Sequence, residues 1–157
     1  MTASLSRRTA LLILTCLPLA ACAAPKEAAA PFDPPLYPNE TPELRALINQ
    51  YADFYEVPRE LVHRVIIRES THRPWVTNGP NIGLMQIQLP TARGMGYNGA
   101  RQGLLDAETN LTFAVKYLRG ALLVAEGNHD RAVFLYAKGY YPEAKRAGLL
   151  KETGLAP

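Results

Sequence analysis

A chain of 157 residues is one domain's length, and 48% of it is hydrophobic. Its 17 basic and 14 acidic residues give a formal +3, but Arg7 and Arg8 lie in an N-terminal segment set apart below, and without them the balance is about +1, which argues against a nucleic-acid partner. Both cysteines, Cys16 and Cys22, lie in that same segment, so the folded domain has no disulfide and depends on a packed core.

Residues 1–22 read MTASLSRR and then TALLILTCLPLAAC: two arginines, an apolar run and small residues, the layout of an export signal. The apolar run is shorter than the roughly 20 residues that a bilayer-spanning helix needs. Leu19-Ala20-Ala21-Cys22 resembles the lipobox of bacterial lipoproteins. That resemblance implies removal of the signal up to Cys22, acylation of Cys22 and a membrane anchor through its lipid. Ala23 in the following position, where Asp is absent, implies the periplasmic face of the outer membrane. An ordinary secretory signal cut nearby implies a soluble periplasmic protein instead. Residues 23–41 carry prolines at 25, 31, 34, 35 and 38. They are expected to form an extended tether, about 60 Å long at about 3.1 Å per residue, or to wrap the domain surface.

The domain proper is assigned to residues 42–157, and its periodicity is helical. Thr41 and Pro42 make an N-cap and N1 pair, followed by Leu44, Leu47, Ile48, Tyr51, Phe54 and Tyr55 on one face. A second helix opens at Pro58, with Leu61, Val62, Val65 and Ile66 inward and Arg59, Glu60, His63 and Arg64 outward. Residues 74–103 interrupt the pattern with six glycines and three prolines, and only Ile82 to Leu89 is apolar enough for a short strand or a buried loop. A small helix is expected near Pro90 and Thr91. A long helix spans 107–125 after Asp106 as cap and before Gly127, a fourth runs from Asp130 to Lys138, and a fifth begins at Pro142. The fold class is mainly α, with a short strand or loop segment at a cleft.

Glu69 lies four residues after Val65 and three after Ile66, which places a carboxylate on the apolar stripe of its helix. Burial there disfavours the ionised form, and an acid poised near neutrality can give a proton to a leaving oxygen and later take one back. Pairing with Arg68 or Arg73 at a solvated helix end is the structural alternative.

Glu69-Ser70, then Gly83-Leu84-Met85-Gln86-Ile87, then Pro90-Thr91-Ala92, followed by Asp106, Asn110 and Tyr117-Leu118, resembles the soluble lytic transglycosylase domain, whose fold is like that of goose-type lysozyme. The resemblance covers residues 44–141. It implies cleavage of the β-1,4 bond between N-acetylmuramic acid and N-acetylglucosamine in peptidoglycan glycan strands, without water, leaving 1,6-anhydro ends. It further implies that Glu69 is the sole acid and base, that Ser70 hydrogen-bonds near the substrate or orients Glu69, and that Met85, Gln86 and Tyr136 line the cleft. No cofactor is implied.

Glycosidases ordinarily use two carboxylates, yet no Asp or Glu occurs between Glu69 and Asp106. A substrate that supplies its own 6-hydroxyl as nucleophile needs only one. Asp53, Asp106, Glu108 and Asp130 remain candidates to approach in space. The last motif departs from the family's Ala-Tyr-Asn-Ala-Gly: here it is Leu135-Tyr136-Ala137-Lys138-Gly139. That departure admits a catalytically weak or inactive lipoprotein that binds peptidoglycan through the same cleft.

Glu69 and His72 share the E-x-x-H spacing of di-iron bundles, but the second pair and two further glutamates are missing, so no metal is expected and His72 is assigned to the surface or a loop. Tyr51, Phe54, Tyr55, Tyr117 and Phe134 are expected in the core. Trp75, Tyr97, Tyr140 and Tyr141 fall near loops, where one or two are expected to stack on sugar faces. Lys145, Arg146 and Lys151 are expected on a solvated face.

Overall fold

The structure is a computed structural model that describes residues 34–155. The signal segment, Cys22 and most of the proline-rich stretch lie outside the described residues.

Among the described residues six α-helices appear in the order α1 (Pro42–Phe54), α2 (Arg59–Glu69), α3 (Leu89–Gly94), α4 (Ala107–Val124), α5 (His129–Lys138) and α6 (Tyr141–Ala147). A 3-10 turn at Arg101–Leu105 precedes α4. Between α2 and α3 lie three two-residue strands, β1 (Thr77–Asn78), β2 (Asn81–Ile82) and β3 (Ile87–Gln88). They pair antiparallel in that order, with Thr77 opposite Ile82 and Ile82 opposite Ile87. The apolar run from Ile82 to Leu89 is thus part strand and part loop, and the mainly helical class holds.

Local chemistry sets the helix starts. The Thr41 side chain accepts from the Leu44 N–H at 3.2 Å with Pro42 in the first turn, Asp106 accepts from Thr109, and Asn128 accepts from Arg131. The long helix α4 is the axis of the core. Leu111, Ala114, Val115, Leu118 and Ala121 are buried along it, and it packs against α1, α3, α5 and α6. Gly120 lets Tyr140 approach closely enough for the Tyr140 hydroxyl to donate to the Tyr117 carbonyl at 2.8 Å.

Several sequence expectations change. Phe54 is 73% exposed, because α1 ends at that residue and the chain turns away through Glu56 at φ 54°. Phe134 is likewise exposed, whereas Tyr97 and Tyr140, candidates to stack on sugar faces, lie near loops as expected but are buried. His63, expected outward, is fully buried, and His72, expected in a loop or at the surface, lies in the turn after α2 but is fully buried too.

The cause of the last change is the segment before α1. Arg45 donates to the Pro34 and Pro35 carbonyls at 2.7 and 3.2 Å and to both carboxylate oxygens of Glu40 at 2.7 and 2.6 Å. Tyr37 stacks on the His72 ring at 5.1 Å and lies 5.6 Å from His63. Residues 34–40 therefore cover His63, while Glu60 and Arg64 on the side of α2 that helical periodicity assigns to solvent stay exposed, and the folded unit begins before residue 42. Burial holds the His63 imidazole down to a pKa of about 4, with Glu40 partly offsetting it, so the ring is neutral at pH 7.

Candidate active site

Glu69 occupies the last position of α2, and Ser70 is the C-cap. Val65 and Ile66, one turn earlier, are buried, and this draws Glu69 against the apolar wall. Its side chain is 21% exposed and opens into a cleft of about 310 Å³. Burial raises the Glu69 carboxyl above its ordinary pKa, and the Arg68 guanidinium, 3.6 Å away, offsets part of the rise. The carboxyl therefore keeps its proton to a higher pH than a solvated glutamate, while remaining open to a ligand.

The cleft is walled by α2, β3, the start of α3 and the end of α5. Gln86, Gln88, Thr91, Tyr136 and Lys138 line it with Glu69. Among the described residues no second carboxylate lines it. Each of the candidates named from the sequence is engaged elsewhere. Asp53 pairs with Arg59, Asp106 caps α4, Glu108 accepts from the Tyr51 hydroxyl, and Asp130 pairs with Arg64.

The loop Gly83–Gln86 brings Gln86 to the cleft, and it is fixed by side chains from three helices. The Ser70 hydroxyl donates to the Leu84 carbonyl at 2.6 Å, Asn110 accepts from the Met85 N–H at 2.9 Å, and the Tyr136 hydroxyl donates to the Met85 carbonyl at 2.8 Å. Asn110 also donates to the Ile82 and Leu104 carbonyls at 2.9 and 2.8 Å. Gly83 is obligatory here: its φ is 76°, and a Cβ would run into the Leu104 carbonyl and the Asn110 amide. Gln86, at φ 52°, turns its amide back to donate to the Val76 and Gly83 carbonyls, both at 2.9 Å.

The site residues expected from the sequence therefore separate. Glu69, Gln86 and Tyr136 meet at the cleft. Met85 does not: its side chain is 0% exposed in the core, and only its backbone serves the loop. Ser70 is buried and holds Leu84 in place, without contact to Glu69 through its hydroxyl. Tyr136 is buried with its hydroxyl committed to Met85, and both burial and the nearby Glu69 charge keep that hydroxyl protonated. Asn110 is the residue whose task sequence reasoning missed. Its signal was its place on the buried face of α4, where an amide needs several partners.

Ala137 and Lys138, the positions that depart from the family motif, both line the cleft. The Lys138 ammonium pairs with Glu143 at 2.6 Å and lies 5.0 Å over the Phe134 ring. Trp75 and Tyr141 are exposed but do not line the cleft, whereas Tyr97 and Tyr140 are buried.

A family model described as the transglycosylase SLT domain matches residues 46–152, a span that runs from within α1 to beyond α6. No curated protein and no solved structure matches the chain.

Proposed function

The chain belongs to the transglycosylase SLT domain family, and we propose that it is a peptidoglycan lytic transglycosylase in which Glu69 alone acts as acid and base. The observation that carries this reading is that Glu69, partly desolvated and raised in pKa, is the one carboxylate among the described residues lining the cleft. In the first step the protonated Glu69 gives its proton to the glycosidic oxygen. The bond from that oxygen to C1 of the N-acetylmuramic acid breaks, and the N-acetylglucosamine leaves as an alcohol. In the second step the Glu69 carboxylate takes the proton of the muramic acid's 6-hydroxyl, whose oxygen bonds to C1. The product is a 1,6-anhydro ring, Glu69 is protonated again, and no water is consumed. A hydrolase of the usual kind needs a second carboxylate to activate water or to attack C1. The candidates for that task are all held away from the cleft.

Support for glycan binding comes from the amide of Gln88 and the hydroxyl of Thr91 along the cleft wall, beside Gln86, whose NH2 group holds the loop. The proposal includes an anchor at Cys22 on the periplasmic face of the outer membrane. Cys22→Ala is expected to release the chain from membranes, and unchanged fractionation would remove the anchor.

The test of the reaction is to incubate the chain with purified peptidoglycan beside Glu69→Gln and to weigh the released muropeptides. Anhydro ends that depend on Glu69 support the proposal. Reducing ends overturn it in favour of hydrolysis. Binding without release favours the glycan-binding relative, for which the replaced Ala137 and Lys138 on the cleft wall are the specific grounds.

A further inference from the structure

Where residues 34–40 cover His63, three side chains from three pieces of chain converge. Glu40 precedes α1, His63 lies in the middle of α2, and His72 lies in the turn after it, and all three are buried. Their facing atoms are Glu40 Oε1, His63 Nδ1 and His72 Nε2. The oxygen lies 3.6 Å from the first nitrogen and 3.7 Å from the second, and the nitrogens are 3.2 Å apart.

At 3.6 and 3.7 Å both nitrogen-to-oxygen separations are too long for hydrogen bonds. They suit a shared ion instead. A triangle with sides of 3.2, 3.6 and 3.7 Å has its equidistant point about 2.0 Å from each corner, and Zn²⁺ bonds imidazole nitrogen at about 2.0–2.1 Å and carboxylate oxygen at about 2.0–2.2 Å. We propose that Glu40, His63 and His72 bind a divalent transition-metal ion, Zn²⁺ fitting best, as a structural clasp that ties the segment before α1 to the helix carrying Glu69.

The surroundings agree with ligation. If His63 ligates through Nδ1, its proton resides on Nε2, and that atom lies 3.4 Å from the Asn49 Oδ1. A hydrogen-bonded partner on the second ring nitrogen is what fixes the tautomer of a ligating imidazole. Tyr37 stacks on His72 and restricts its ring. Thr71 and His72 are consecutive non-glycine residues at φ 53° and 58°, a strained turn that directs His72 back beneath α2. The two facing nitrogens meet at 3.2 Å, and each stands beyond hydrogen-bonding distance of Glu40 Oε1.

Arg45 and the Tyr37 N–H donate to the Glu40 carboxylate and hold it in place beside the two rings. The guanidinium's charge also repels a dication, which sets the affinity below that of the same ligands without a cation beside them. Two nitrogens and one oxygen favour Zn²⁺, Co²⁺ or Ni²⁺ over Mg²⁺ and Ca²⁺, which take oxygen shells.

Because Cys16 and Cys22 are themselves thiol ligands, the test uses the full chain carrying Cys16→Ser and Cys22→Ser. It is stripped with a chelator and then titrated with Zn²⁺ by calorimetry and by thermal melting. The expected result is one equivalent bound, a higher Tm with Zn²⁺ and no change with Mg²⁺. His63→Gln and His72→Gln are each expected to weaken binding at least tenfold. Glu69→Gln is expected to bind fully, which separates this set from a Glu69–His72 pair. X-ray absorption of the Zn²⁺-loaded chain reads the ligands directly and does not depend on the variants folding. Two imidazoles and an oxygen shell support the site. Absence of stoichiometric binding, or binding unchanged in both histidine variants, overturns it and leaves the cluster as a metal-free hydrogen-bonded contact.

Discussion

Replacing Asn110 by Ala removes three hydrogen bonds at once, to the Met85 N–H and the Ile82 and Leu104 carbonyls. The Met85 N–H lies in the core, and a buried group left without a partner costs about 1–3 kcal/mol. Carbonyls, with two lone pairs, tolerate the loss better. Counting the N–H in full and the carbonyls in part, the variant loses about 3–5 kcal/mol, a large share of the roughly 5–15 kcal/mol that holds a domain folded. For a domain of this size that corresponds to a fall in Tm of about 10–20 °C. Circular dichroism melts and urea titrations measure both quantities. Asn110→Asp is the stringent companion. It keeps an acceptor for Met85 but turns an anionic oxygen toward two carbonyl oxygens, so it is expected to be no better than Ala. If either variant melts within about 4 °C of the parent, Asn110 does not hold the loop and this account of it fails.

Three further outcomes follow from the same geometry. Gly83→Ala forces a Cβ into the Leu104 carbonyl and the Asn110 amide at a left-handed φ, so it should lower Tm at least as much as Asn110→Ala, and a parent-like melt contradicts the close approach. Tyr136→Phe leaves the Met85 carbonyl without its donor and is expected to cost about 1–3 kcal/mol in urea unfolding while slowing peptidoglycan cleavage. Glu69→Gln should abolish cleavage and keep the fold. Because burial raises the folded-state pKa of Glu69 above its unfolded value, the native state binds the extra proton, and the carboxylate makes the parent less stable as pH rises through that window. The Tm difference, variant minus parent, should therefore grow from pH 4 to pH 7, and a difference independent of pH contradicts the raised pKa.

Glu69 was legible because its helical offset from Val65 and Ile66 is set by 3.6-residue geometry alone, and the helix starts were legible from Thr41, Pro42 and Asp106. His63 was not, since its neighbours Arg59, Glu60 and Arg64 mark that side of α2 as solvated. Periodicity has no means of showing that residues 34–40 return to cover His63. Met85 and Ser70 carry motif signals but serve the loop, through a backbone and through a hydroxyl turned to Leu84. Which face a loop residue presents depends on partners such as Asn110 and Tyr136, and these are distant in sequence.

Those partners also set an order of events. The bonds fixing Leu84 and Met85 join residues 14, 25 and 51 positions apart. Each closes a longer stretch of chain than a helical turn does, and such contacts form only after the entropy of loop closure has been met by other packing. The loop beside Glu69 should therefore be among the last parts of the domain to order during folding. A partly folded chain would carry its acid without a shaped cleft, so cutting activity would arise only with the finished fold.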